Sequence, residues 1–337
     1  MSETLDPPRT AASADIDGTA VGTAAAPRAD ERPVAVAVAA DLPGAAAPGK
    51  DVGLPLPARR PGRAREFGTF LRHRPGLALS LAFVVFVLVA AVAPGIVAPG
   101  DPLTGEPAAK LQGPSAEHLF GTDQLGRDVF TRVVHGTSLS LRATALAVVV
   151  ALVLGASLGL AAGFVGGVVD DVVMRLVDVL QAIPRLLLSL AVITALGFGT
   201  TKVAFAVGLA SAAGFARVMR AEVLRVRSAG YVEAAHACGV RPSGVLLRHI
   251  LPNSWGPVLV MAALEFGVAI LAVSSLSFLG FGATPPTPEW GSLVSEGRNY
   301  VATAWWLTAF PGLVIAATVL AANRVSRALD AERGDDR

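Results

Sequence analysis

The sequence predicts an all-α integral membrane protein, six transmembrane helices preceded by a disordered N-terminal tail. Three observations carry this. Of the 337 residues, 53% are hydrophobic and 16% are charged, whereas soluble domains carry about a quarter charged residues. The mean hydropathy is +0.58. Apolar runs long enough for a ~30 Å hydrocarbon core recur along the chain, with the charges collected between them. The lone cysteine, Cys238, excludes an intrachain disulfide and a cysteine-cluster metal site. No metal, cofactor or nucleic-acid partner is expected.

Residues 1–64 read as the tail. Met1 to about Pro57 is rich in Ala, Pro and Asp and almost without aromatics. It buries too little apolar area to offset the entropy of ordering. It lacks the basic start and compact apolar core of a signal peptide. Gly44-Ala-Ala-Ala-Pro-Gly49-Lys50 imitates a phosphate-binding P-loop. Asp51 stands where the magnesium-binding hydroxyl belongs, and no strand precedes the glycines. This chain is therefore expected to hydrolyse no ATP.

A membrane domain is expected over 65–330. The basic cluster Arg59, Arg60, Arg63, Arg65, Arg72 and Arg74 leads to a first span at about 77–98, with Pro94 and Pro99 at its far end. The polar segment 101–135 holds His118-Leu-Phe-Gly121-Thr-Asp123-Gln-Leu-Gly126-Arg127-Asp128-Val-Phe130. In it Asp123, Arg127 and Asp128 read as a compact charged network, serving either as a hydrogen-bonded cap on the bundle or as a contact surface.

The second span covers about 137–164. Gly155, Gly159, Gly163 and Gly167 recur every four residues, a spacing that lets helix backbones approach closely in lipid. Gly155-Ala-Ser157-Leu-Gly159 also matches a nucleophile elbow, but that motif needs a strand–turn–helix and a histidine partner. The third span, 168–196, is amphipathic at first, with Asp170, Asp171, Arg175, Asp178 and Gln181. Such groups should face the bundle interior or water. Pro184 predicts a kink. The fourth span covers 201–219. The fifth, 257–282, holds one acid, Glu265. The sixth, 307–322, is closed by Asn323, Arg324 and Arg327.

Between the fourth and fifth spans lies the polar stretch Ser228–Asn253. It predicts two short helices. Ser228 suits the N-cap of the first, and Gly239 suits its C-terminus, where φ > 0 is wanted. Pro242 suits the first position of the second helix, and Pro252 predicts its end.

Within this stretch Glu233-Ala234-Ala235, then Gly239, then His249-Ile250-Leu251-Pro252 resembles the EAA loop of ABC-transporter permeases. The segment 118–130, together with Leu276–Gly282, Pro285–Gly291 and Glu296–Tyr300, resembles the C-type permease subunit of dipeptide, oligopeptide and nickel importers. The matches cover most of the chain after about residue 70.

The resemblance implies a type I ABC importer permease fold that works by alternating access. It implies four kinds of partner: a second permease subunit in a heterodimer, two cytoplasmic ATP-binding subunits, an extracytoplasmic substrate-binding protein, and membrane lipid. Glu233 would engage the ATPase, Gly239 would set the angle between the short helices, and Ala234 and Ala235 would permit close approach. His249, Leu251 and Pro252 complete the loop. The implied cargo is a di- or oligopeptide, with nickel or another small solute as the alternative.

Charge gives the orientation separately. Arg217, Arg220, Arg225, Arg227, Arg241 and Arg248 flank or lie in the EAA stretch, on the side of the N-terminal cluster and of Arg324 and Arg327. The other side holds only Lys110, Arg127, Arg132, Lys202 and Arg298 near the span ends. The positive-inside rule places the EAA stretch and both termini in the cytoplasm. An ion-driven secondary transporter would call for inverted repeats and matched broken helices, which the sequence does not show. An intramembrane enzyme would need a histidine or a metal constellation in the spans, and His73, His118, His135, His236 and His249 fall outside the expected ones.

Overall fold

In the computed structural model, the structure describes residues 75–335, and side chains through residue 328. The tail, its P-loop imitation and the basic cluster through Arg74 lie outside the described residues.

The described chain is helical apart from its connections and one isolated bridge between Thr122 and Asp128. Helix α1 is Pro75–Val92, and the short α2 is Pro94–Val97. A long α3 spans Val129–Val165. Next come α4, Gly167–Ala182, and α5, Arg185–Leu196. Helix α6 is Thr200–Arg227, α7 is Gly230–Ala237 and α8 is Pro242–Val245. A π-turn at Leu246–Ile250 joins α8 to α9, Leu251–Phe278. Helix α10 is Trp290–Gly297 and α11 is Trp306–Asp335.

Five helical stretches are long and apolar enough to cross a bilayer: α1, α3, α6, the continuous Pro242–Phe278, and α11 through Ala328. Helices α4 and α5 form a sixth if the pair is taken as one span, bent by 99°. Pro184 stands at that break, as N-cap of α5 with ψ 130°. A proline there has no N–H for the preceding turn and clashes with its carbonyl.

The first spanning helix ends earlier than expected, at Val92, the second begins earlier, at Val129, and within the polar stretch two further boundaries differ from the sequence expectation. Ser228 does not open α7. It is the C-cap of α6, its hydroxyl donating to the Arg225 carbonyl at 3.0 Å, and Ala229 precedes α7. A serine hydroxyl serves a free carbonyl as readily as a free N–H, so its presence does not say which helix it ends. Pro252 does not end the second helix either. The π-turn just before it widens the ladder, with the Leu251 N–H reaching the Leu246 carbonyl. A wider turn makes room for a ring that would otherwise meet the carbonyl four residues back. Asn253 Nδ2 then donates to the His249 carbonyl at 2.6 Å, and Ser254 Oγ to that of Ile250 at 2.9 Å.

The bundle is centred on α3 and α6. Gly155, Gly159 and Gly163 line α3 where it meets α6. A Cβ at 155 would run into the Ala212 carbonyl and the Phe215 Cβ, one at 159 into the Ala216 carbonyl, and one at 163 into Val223. The reciprocal Gly208 of α6 meets the Ala147 carbonyl. Lipid offers no hydrophobic drive between helices, so dispersion at this closeness holds the pair together. Gly167, the fourth in the series, has φ +55° and no atom within 4 Å of its would-be Cβ. It belongs to the turn out of α3 and not to the contact.

Candidate functional site

The polar stretch Ser228–Asn253 is pinned from beneath. Val232, Val245 and Ile250 are fully buried against Val223 and Val226 of α6 and Val258 of α9. The turn between α7 and α8 is a Schellman motif. The Val240 N–H reaches the Ala235 carbonyl at 3.1 Å, and the Gly239 N–H reaches His236 at 2.9 Å. Val240 and Ala235 pack in the same cluster, the apolar contact that accompanies this turn. Gly239 has φ +77°, a left-handed value that a Cβ makes costly. No atom lies within 4 Å of where that Cβ would sit.

The outer face is open. Glu233, Ala234, Cys238, Gly239, Arg241, Pro242, Arg248 and Pro252 are exposed, and Leu247 is 61% exposed. Ala235, His249 and Leu251 are half-buried. The His249 ring centroid lies 6.5 Å from that of Tyr231, which ties the start of α7 to the π-turn. The arrangement is a small, firmly seated shelf across the ends of α6 and α9, mixed apolar and charged on its free side.

The segment 118–130 folds into a tight turn at the start of α3. Asp123 Oδ1 accepts the N–H groups of Leu125 at 2.8 Å and Arg127 at 3.0 Å. Its Oδ2 takes Arg127 Nε at 2.7 Å and Arg132 Nη1 at 3.0 Å. Glu296 of α10 closes the network on Arg132 Nη1 at 2.7 Å and Arg127 Nη2 at 3.4 Å. Asp128 lies outside this network, a correction to the three-residue set expected from the sequence. It is the N-cap of α3, accepting the Thr131 N–H and hydroxyl at 2.8 Å each and facing His118 Nδ1 at 3.0 Å. A carboxylate at that position satisfies free N–H groups and suits the positive helix end.

Gly121 and Gly126 have φ +72° and +76°. A Cβ at 121 would strike the Gln112 carbonyl and Trp306, and one at 126 the Glu106 backbone. Trp306 Nε1 donates to the Thr122 carbonyl at 3.2 Å, and Phe120 stacks on Phe310 at 4.4 Å. Gly121, Asp123, Gly126 and Arg127 are all buried. They shape the cap, while Leu119 and Leu125 protrude at 57% and 52% exposure. Earlier in the same region Asp101 is held below its ordinary carboxylate value, first by the Thr104 hydroxyl and then by the Leu103 N–H.

Two acids on or beside α9 complete the picture. Glu289, 1% exposed, takes hydrogen bonds from Ser277 Oγ at 2.5 Å and the Ala283 N–H at 2.8 Å. Glu265 Oε1 takes Arg185 Nη1 at 3.0 Å and Ser211 Oγ at 2.8 Å. Sequence reading noted Glu265 but not its partners. In the sequence Glu289 and Glu296 stand out only as members of matched motifs, and Arg132 only as one of the charges near the span ends. Among the described residues no group of three or more His, Cys, Asp or Glu is arranged to hold a metal ion. Ser157, of the nucleophile-elbow pattern, donates to the Val153 carbonyl within α3.

A helical bundle with five or six bilayer-length apolar helical stretches and a seated two-helix shelf between two of them defines a multi-pass membrane protein. The sequence profile of "Binding-protein-dependent transport system inner membrane component" matches residues 155–333. The chain is 41% identical over 244 residues to the dipeptide transport system permease protein DppC of Alkalihalophilus pseudofirmus, covering 72% of this chain and 80% of that one. It is 37% identical over 285 residues to the di/tripeptide transport system permease protein DppC of Pseudomonas aeruginosa, 82% and 92% covered. It is 40% identical over 273 residues to the glutathione transport system permease protein GsiD of Shigella flexneri, 80% and 90% covered. A solved amino acid ABC transporter aligns with TM-score 0.49 and 17% identity, over 60% of this chain and 94% of that one. The chain belongs to the inner-membrane components of binding-protein-dependent transport systems: it is a permease of the type I ABC-importer family, working with other ABC subunits in the membrane.

Proposed function

We propose that this permease translocates di- or oligopeptides handed over by an extracytoplasmic binding protein. Two ATP-hydrolysing subunits on the cytoplasmic side drive it, and a second permease subunit completes the passage. The observation that carries the coupling is the shelf at 230–252: pinned by Val232, Val245 and Ile250, open at Glu233, Ala234 and Gly239. The docked ATPase would engage Glu233, approach over Ala234 and Ala235, and push on the turn that Gly239 shapes. His249, Leu251 and Pro252 would carry the push into α9. The peptide cargo is supported by the names of the relatives, which transport dipeptides, di/tripeptides and glutathione.

The second permease subunit is supported by the broken span. Along α4 and α5, Val172, Leu176, Val179, Leu186 and Leu187 stand uncovered, each at least half exposed. Asp171 and Arg175 are exposed among them, as is Asp178, which Arg217 of α6 already pairs at 2.7 Å. Hydrocarbon does not accept such charges, whereas a protein partner can pair them. With the basic side inside, the shelf and both termini are cytoplasmic.

Uptake tests the reading. Cells whose only peptide importer contains this permease should accumulate labelled dipeptide in an ATP-dependent way and lose that uptake when the binding protein is removed. Accumulation of nickel but not of peptide would redirect the cargo assignment.

A further inference from the structure

We infer that Arg185, held by Glu265, is a recognition point for the carboxylate of the transported solute at the middle of the passage. This rests on the permease reading and deepens it.

Depth is the first argument. Glu265 lies midway along α9 and Ser211 midway along α6. At 1.5 Å per residue each is roughly 20 Å from either end of its helix. Arg185 reaches them from the first residue of α5, directly after the break at Pro184. Three spans thus converge on one ion pair near the centre of the bundle.

Exposure is the second. The Glu265 side chain is 7% exposed and takes two hydrogen bonds on Oε1. The Arg185 side chain is 52% exposed and uses a single N–H on Glu265. No other described residue takes a hydrogen bond from its guanidinium. A half-exposed guanidinium at this depth is too costly against acyl chains, so it faces water or a polar surface.

Shape is the third. Arg185, Ser189, Ser211, Glu265 and Ser275 bring all the polar groups to a cavity of about 260 Å³ whose remaining walls are apolar. Glu265 fixes one edge of the guanidinium. The planar fork left over matches a carboxylate in a bidentate way, and burial on one side limits its rotation. An acid with two free oxygens fits it. A C-terminal amide, with one acceptor and two donors, does not.

The test is uptake by cells carrying the complete importer, using a dipeptide with a free C-terminal carboxylate and its C-terminal amide. Membrane levels of the permease are followed by immunoblot. Arg185→Gln should lower uptake of the free acid by roughly tenfold to a hundredfold, the range of a charge-assisted hydrogen bond, while leaving the amide within about twofold of wild type. The double variant Arg185→Gln with Glu265→Gln removes the stranded buried charge and should show the same selective loss at normal membrane levels. Arg185→Lys keeps the charge without the fork and should fall between. Equal losses for acid and amide, or no loss for either, would overturn this inference alone and leave Arg185–Glu265 as a tether between helices. A wild type that imports neither peptide would overturn the peptide reading and this inference together.

Discussion

Arg132 and Glu296 are 164 residues apart in the chain and meet at 2.7 Å. The contact clamps the start of α3 to α10 through a side chain that is only 2% exposed. Asp123 and Arg127 complete the set, so two guanidinium groups face two carboxylates and the charges balance. Among the described residues Arg132 Nε finds no partner, nor does Gln124 Oε1. Balance makes the cluster intolerant of single losses, because a buried charge without its partner is far costlier than an absent pair.

Asp123→Ala should therefore destabilise the permease by about 3–5 kcal/mol, the cost of stranding a buried partner. The loss leaves two guanidinium groups sharing one carboxylate, Glu296, and two N–H groups of the turn unsatisfied. Glu296→Gln should cost less, since Glu296 is 18% exposed and an amide still accepts one hydrogen bond. Thermal unfolding of the purified importer in detergent would rank the two. Equal midpoints for wild type and Asp123→Ala would remove the network from the list of stabilising features.

Glycine contacts between α3 and α6 make a second ordering. Gly159→Ala drives a methyl group into the Ala216 carbonyl, so the helices must separate. Gly167→Ala meets no atom and costs only left-handed strain, about 1–2 kcal/mol. Gly159→Ala should lower the amount of folded permease in membranes, and Gly167→Ala should change it much less. Comparable levels for both would mean that the close approach does not hold the bundle.

Orientation is tested by fusions. A reporter active only outside the cytoplasm should be active after Gly113 or after Ala283 and silent after Arg248. The charge distribution motivates this pattern, and the reverse pattern would sink the inside assignment of the shelf.

The spans were legible because bilayer-length apolar runs need no tertiary information. Pro184 was legible for a related reason: a missing N–H acts on the residues beside it, and the break is there. Pro252 was not, because the π-turn that accommodates it leaves no mark in composition. The helix continues through it into α9. Asp128 was misplaced among the network residues because its charge resembles that of Asp123, while its role depends on which residue begins α3. Arg132, Glu296 and the Arg185–Glu265 pair were invisible as pairs, since partners 80 or more residues apart are brought together only by packing. Gly239 was legible because a left-handed helix C-terminus selects glycine locally.

Gly239 also supports the sharpest test of the coupling proposal. Its φ of +77° closes the Schellman turn, and a Cβ added there would meet no atom within 4 Å outside the adjoining residues. Substitution there therefore strains the backbone without disturbing the bundle core. Gly239→Val should cost at least ~1 kcal/mol in the turn and place a branched side chain on the open face, where the ATPase is proposed to dock. Gly239→Asn, which tolerates the left-handed region, should be milder. Glu233→Lys reverses a charge on an exposed residue and breaks no ion pair among the described residues. Each variant should reach the membrane at wild-type levels. Gly239→Val and Glu233→Lys should recover less ATPase on co-purification and take up less substrate, with Gly239→Asn closer to wild type. If recovery and uptake stay at wild-type values in both Gly239→Val and Glu233→Lys, the shelf does not carry ATP-driven motion into α6 and α9, and the proposed coupling falls while the family membership stands.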